Sequence, residues 1–233
     1  MNADAPYEAL AAEYYDERHK TSRNFDAITA EATASWRDRL PAGLVLEVGC
    51  GRGRVGEFFG LPSTRVVQLD NSPAMLALPD REPALVRVQH DAETLPFPDA
   101  AFGCVIALLS DPFLGLNFLA EAYRVLESGG VLCGTTPSYE WGSTLRETLG
   151  IDIMSTRFKL HGGGGVEVPS FLYPAPQLRG MIERVGFGDP IELRAHALPK
   201  AVVDVSDDIV RPANHLGQEA WELDVLYTFW ATA

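Results

Sequence analysis

From about residue 43 to residue 136 the chain alternates short β-branched runs with stretches of helical period. Residues 44–48 (LVLEV), 65–69 (RVVQL), 85–88 (LVRV), 104–108 (CVIAL) and 131–135 (VLCGT) are candidate strands. Each is short, apolar and bounded by Gly, Pro, Asp or Asn. The clearest intervening helix spans 113–126, where Leu114, Phe118, Ala122 and Val125 recur at helical spacing. Ser128-Gly129-Gly130 is placed to end it as a C-cap. Strand, helix and strand repeated in this way predict right-handed crossovers and a parallel sheet covered on both faces, a doubly wound α/β fold.

Outside this core the pattern changes. Tyr7, Leu10, Ala11, Tyr14 and Tyr15 fall on one helical face, and 25–40 reads as a second helix stopped by Pro41. Residues 137–175 contain Tyr139, Trp141, Phe158, Phe171, Tyr173 and a four-glycine run at 162–165. Residues 176–185 predict a helix ended by Gly186, and 191–198 and 225–232 predict strands. The last of these has no polar alternation, which implies burial on both faces. The expected organisation is one domain. It consists of a helical N-terminal cap (1–42), a ligand-binding core (43–136), an inserted lid over an acceptor site (137–175) and a C-terminal helix with two strands (176–233).

Composition adds exclusions. In 233 residues, 46% hydrophobic and 22% charged, no apolar run approaches the ~20 residues of a membrane helix. The segment 1–18 is acidic and lacks a basic region followed by an apolar block, so no signal peptide is expected. Cys50, Cys104 and Cys133 are widely spaced, which suggests neither a zinc site nor a disulfide framework, and a cytoplasmic location. A net charge of -13, with only three lysines, excludes a nucleic-acid or membrane-surface partner built on clustered basic residues.

The most informative segment is Glu47-Val48-Gly49-Cys50-Gly51-Arg52-Gly53-Arg54-Val55-Gly56, which follows the first strand and opens a helix. Glycines there permit a sharp turn and let a ligand lie against bare N–H groups. Read from Gly51, it is the G-x-G-x-x-G of dinucleotide sites, with Asp70 ending the next strand. Read from Glu47, it is E-x-G-x-G-x-G. A carboxylate at the strand end would repel a pyrophosphate and complement an ammonium group. Downstream lie Asp70-Asn71-Ser72-Pro73, the run Asp91-Ala92-Glu93-Thr94-Leu95-Pro96-Phe97-Pro98-Asp99 closed by Phe102, and Arg124-Val125-Leu126-Glu127-Ser128-Gly129-Gly130.

In this order and spacing the motifs resemble those of the class I, Rossmann-like S-adenosylmethionine-dependent methyltransferases, of the small-molecule type 11 kind. The resemblance spans roughly residues 7–198, and Ser128 stands where the family usually has proline. It implies a mostly parallel seven-stranded sheet with an antiparallel last strand lying between the fifth and sixth. It also implies S-adenosylmethionine as cofactor. Asp70 would take the ribose hydroxyls, Asp91 the adenine amino group, Met75 the underside of the adenine, and Tyr15 the methionine carboxylate. Glu47, Gly49, Cys50, Gly51, Gly53, Asn71, Ala92, Leu108 and Leu109 would complete the contacts. The acceptor implied is a small molecule.

Two other functions compete with methyl transfer, a silent cofactor-binding module and an NAD-dependent oxidoreductase. No Tyr-x-x-x-Lys pair supports the oxidoreductase. For catalysis the candidates are Asp111, His161 and Glu140. Asp111 lies in Leu109-Ser110-Asp111-Pro112-Phe113, where amine-methylating relatives carry a D/N-P-P-Y/F motif. The alternative for Asp111 is an N-cap of the following helix. His161 precedes the glycine run, which reads as the hinge of a mobile lid.

Overall fold

The computed structural model describes residues 6–16, 18–78, 86–152 and 154–233. A seven-stranded sheet runs through the molecule: β1 (Val45–Val48), β2 (Val66–Asp70), β3 (Val86–Gln89), β4 (Phe102–Ala107), β5 (Leu126–Pro137), β8 (Gly188–Ala197) and β9 (Asp224–Thr232). Two further strands, β6 (Ser155–Lys159) and β7 (Gly165–Pro169), pair as a separate antiparallel hairpin. The strand order is β3-β2-β1-β4-β5-β9-β8. Only β9 runs against its neighbours, between β5 and β8. Its expected burial holds, because every residue from Val225 to Ala231 is buried.

Both faces of the sheet are covered. On β4, Cys104 and Ile106 pack with Trp36 and Phe59, while Val105 and Ala107 pack with Phe118 and Leu119. That is the two-residue period of a strand carried into two separate cores. The helices are α1 (Lys20–Ala32), α2 (Val55–Phe59), α3 (Pro73–Leu76), α4 (Leu116–Val125), α5 (Tyr139–Leu149), α6 (Ala175–Val185) and α7 (Asp207–His215). On α4, Phe118, Leu119, Ala122 and Val125 form a single buried stripe. A third core joins α1, α5, α7 and β9 through Phe25, Ile28, Trp141, Leu145, Ile209 and Leu226.

Several expectations need correction. Tyr7 to Tyr15 form a short 3-10 turn (Pro6–Ala9) followed by turns, not a helix, and 25–40 divides into the end of α1 and a 3-10 segment, Ala34–Asp38. Residues 128–130 do not cap α4, which stops at Val125. Instead Gly129 N–H donates to the Ala233 carbonyl and Ala233 N–H to the Gly130 carbonyl, extending β5. Residues 137–175 hold α5 and the β6–β7 hairpin, and the glycine run is that hairpin's turn. Leu85 of the expected third strand lies outside the described residues.

Helix α7 carries Pro212 in its interior. A proline there withholds the N–H that would reach the carbonyl four residues back. That carbonyl, of Asp208, accepts from the Trp141 indole N–H at 2.8 Å, so α5 repairs the gap in α7. At the start of α5, buried Ser138 Oγ accepts from Trp141 N–H at 3.1 Å and donates to the Asp224 carbonyl at 2.7 Å. Ser138→Ala is expected to cost about 1–2 kcal/mol, read as a lower urea midpoint with an unchanged slope.

Candidate functional site

Above the carboxyl ends of β1, β2 and β4 lies a cavity of about 360 Å³, in the size range of small-molecule sites. Its floor is the glycine loop. Gly51 has φ of +53°, and a Cβ there would lie 2.0 Å from the Tyr15 hydroxyl. Gly49 has φ of +64°, and its Cβ would lie 2.5 Å from the Phe113 ring. Both positions therefore exclude any side chain, by backbone angle and by contact.

Glu47 is buried, and its carboxylate braces the loop from behind. Oε1 accepts from Arg54 N–H at 2.9 Å and Val55 N–H at 3.2 Å, and Oε2 accepts from the Gln68 amide at 2.9 Å. Gln68 in turn accepts from Arg87, whose guanidinium also donates to the Gly51 carbonyl at 3.1 Å. The first N–H groups of α2, where a dinucleotide's pyrophosphate would dock, are thus already taken by a carboxylate.

Asp70, at the end of β2, has one oxygen on Gly51 N–H at 2.8 Å and the other on Ser72 N–H at 2.9 Å. Burial nonetheless pushes its carboxyl above the ordinary value, against the pull of those two donors. Next to it, Ser72 Oγ accepts from Met75 N–H and donates to Glu8, which docks the N-terminal segment on α3. The same segment lays Tyr15 over the glycine loop. Its hydroxyl accepts from Arg52 N–H at 3.3 Å, and the Arg52 guanidinium lies 4.3 Å from its ring centroid. Leu109, at the end of β4, holds φ of +53°, a strained conformation for a leucine, beside the cavity.

Of the residues expected to hold cofactor, Tyr15, Glu47, Gly49, Cys50, Gly51, Asp70, Asn71, Met75, Asp91, Ala92, Leu108 and Leu109 line this cavity. Gly53 does not, since it turns the loop against Gln68. Missed from sequence were Tyr7, Tyr14, Phe58, Phe113 and Pro169, and the half-buried ion pair between Arg54 and Asp26. Of the aromatic residues that 137–175 contains, Phe171 lines the cavity and the others do not. Trp141 packs on Phe25, Phe158 on Tyr14, and Tyr173 lines a different groove. Tyr139 is exposed.

None of the three catalytic candidates lines the cavity. Glu140 accepts a hydrogen bond from the Tyr227 hydroxyl, and His161 sits on the hairpin turn beside His19. Asp111 does not cap α4, whose N-cap is Gly115. It lies buried under the loop that follows β7, where its carbonyl accepts from Phe171 N–H. Burial pushes the Asp111 carboxyl up to about 7, although a bond from Ser170 and the charge of buried Arg146 pull it down. The folded chain therefore holds a proton that the unfolded chain releases near pH 4, so this group's contribution to stability falls as pH rises from about 4 to about 7. Asp111→Asn should remove that dependence. Its unfolding midpoint relative to wild type is expected to rise between pH 5 and pH 8, and a constant difference would contradict the assignment.

Arg124 connects two of the sequence motifs. Its guanidinium donates to the carbonyls of Leu95 and Phe97, to Asp99 and to Glu121, and so fixes the Leu-Pro-Phe-Pro-Asp loop from α4. Among the described residues no helix is long and apolar enough to cross a membrane.

Residues 46–134 match the family model described as a methyltransferase domain. Among curated proteins, a malonyl-[acyl-carrier protein] O-methyltransferase of Enterobacter lignolyticus is 34% identical over 133 residues, 54% of this chain and 50% of that protein. A phthiotriol/phenolphthiotriol dimycocerosates methyltransferase of Mycobacterium leprae is 33% identical over 135 residues, 54% and 48% of the two chains. The chain thus spans about half the length of the curated relatives it matches. A chain from the complex of the Haloferax volcanii Trm112 methyltransferase activator with a methyltransferase superposes with a TM-score of 0.68 at 17% identity, covering 98% of this chain and 96% of that one. The fold is that of the class I methyltransferases, and residues 46–134 carry the similarity to a methyltransferase domain.

Proposed function

We propose that the protein binds S-adenosylmethionine in the cavity above β1, β2 and β4 and transfers its methyl group to a small-molecule acceptor. The observation that carries this reading is the placement of two carboxylates. Glu47 closes the end of α2 against a phosphate, and Asp70 stands at the β2 end with lone pairs for a diol. The residues fit the cofactor, because the glycine cradle admits no Cβ and the Asp70 carboxylate matches a ribose diol. The cofactor supplies an activated methyl group. The chain holds and aims it: Asp70 orients the ribose end, Met75 and Ala92 flank the adenine end, and Tyr15 roofs the glycine loop.

In-line transfer needs orientation and exclusion of water more than a proton-transfer group, and orientation alone contributes on the order of 7–11 kcal/mol. A cavity without Asp111, His161 or Glu140 on its wall is compatible with that. Phe113, Phe171, Tyr7 and Tyr14 give the acceptor end an apolar, aromatic wall. Burial raises the Tyr7 and Tyr14 phenols well above their ordinary value, so they remain protonated donors. The relatives named for a malonyl carrier and for phthiotriol dimycocerosates support an acceptor with a lipophilic or acyl portion. Cys50, Cys104 and Cys133 are buried thiols, which suits a reducing cytoplasm. Incubation with S-adenosylmethionine and a panel of acyl, phenolic and amine acceptors should yield S-adenosylhomocysteine with a matching methylated product by mass spectrometry. Binding without turnover of any acceptor would favour the silent-module reading instead.

A further inference from the structure

The N-terminal segment and the β6–β7 hairpin meet at a group of side chains that the proposed methyl transfer does not use. Glu13 and His19 come from the segment and His161 from the hairpin turn, 148 residues from Glu13. One ligand atom from each of the three lies within 4.8 Å of the others. The two imidazole centroids are 4.7 Å apart, with the rings tilted by 44°. No hydrogen bond joins the rings, and the Nε2 of His19 is shielded from solvent without a partner. A buried ring nitrogen left unmatched beside a second imidazole and a carboxylate has an unmet requirement.

We propose that Glu13, His19 and His161 form a binding site for a divalent transition ion of the zinc class, which ties the N-terminal segment to the hairpin. Two imidazoles and one carboxylate are the donor set that zinc prefers over magnesium or calcium. Ligand atoms on a tetrahedral zinc ion stand about 3.3 Å apart, so binding an ion would draw the present atoms, which lie within 4.8 Å of one another, closer together. Asp16 Oδ1 lies 3.6 Å from His161 Nε2 and adds a second negative charge. Arg18 already holds both Asp16 oxygens, which leaves the fourth position on the ion to water. The segment and the hairpin both contribute to the cavity roof, through Tyr14, Tyr15 and Pro169. An ion bridging them would hold that roof in place. The site itself does not depend on the cofactor reading.

The test is calorimetric titration of zinc chloride into the untagged, chelator-treated chain. The expected result is one ion per chain with micromolar or tighter affinity. His19→Gln and His161→Gln should each weaken it at least tenfold, and His215→Gln, on α7, should leave it unchanged. Cobalt(II) loaded into the wild-type chain gives a check that needs no variant, since a four-coordinate site gives intense visible bands. Absence of saturable one-to-one binding, binding that survives the double His19→Gln, His161→Gln change, or only the weak bands of hydrated cobalt would overturn the proposal.

Discussion

Asp70→Ala is expected to lower the affinity for S-adenosylmethionine at least about a hundredfold, by calorimetric titration, in a chain that still unfolds cooperatively. Each charge-assisted hydrogen bond from the carboxylate to a ribose hydroxyl contributes about 1.5–3 kcal/mol, so losing two costs two decades of affinity or more. The same change strips Gly51 N–H and Ser72 N–H of their acceptor, which loosens the floor of the cavity. Asparagine should not rescue it. The two carboxylate oxygens each face a backbone N–H, so either orientation of the amide sets its NH₂ against a donor. Near-wild-type binding by Asp70→Asn would show that Asp70 acts through shape alone.

Phe118→Ala should produce the largest loss of stability among single core changes. Phe118 is fully buried on α4, 5.0 Å from the Phe113 ring in an edge-to-face contact, within the core shared by β1, β4, β5 and β9. Removing a buried phenyl ring forfeits its transfer energy and leaves a cavity, costing about 3–5 kcal/mol. For a chain of this size that corresponds to a fall in Tm of roughly 6–20 °C. Phe113 also lines the cavity above β1, β2 and β4 and would lose its supporting ring, so ligand binding should weaken in the same variant. A shift under about 3 °C would mean that the core collapses around the vacancy.

The parallel core and its glycine loop were legible because short-range chemistry fixes them. Strands buried on both faces read as continuous apolar runs, and Gly49 and Gly51 occupy backbone angles that other residues avoid. Asp70 ends β2 and Met75 lies on α3 just beyond it, so local spacing alone brings both to the cavity. What stayed hidden depends on contacts between distant segments. Pro212 argues against a helix until Trp141 is seen to donate to the freed carbonyl. Asp111 reads as a cap or a catalytic group until Arg146 and Ser170 enclose it from outside β4. The cavity's aromatic wall comes mainly from Tyr7, Tyr14 and Phe113, because the N-terminal segment folds over the loop. Trp141 packs into the core of α1, α5 and α7, Phe158 backs Tyr14, and Tyr173 lines a separate groove.

The measurement that tests the central claim most directly is calorimetric titration of the wild-type chain with S-adenosylmethionine, S-adenosylhomocysteine and NADH in parallel. The account predicts one-to-one micromolar binding of the first two and no heat with NADH, since Glu47 occupies the N–H groups a pyrophosphate would need. Binding of NADH, with none of the sulfonium or its product, would contradict it and return the glycine loop to a dinucleotide site.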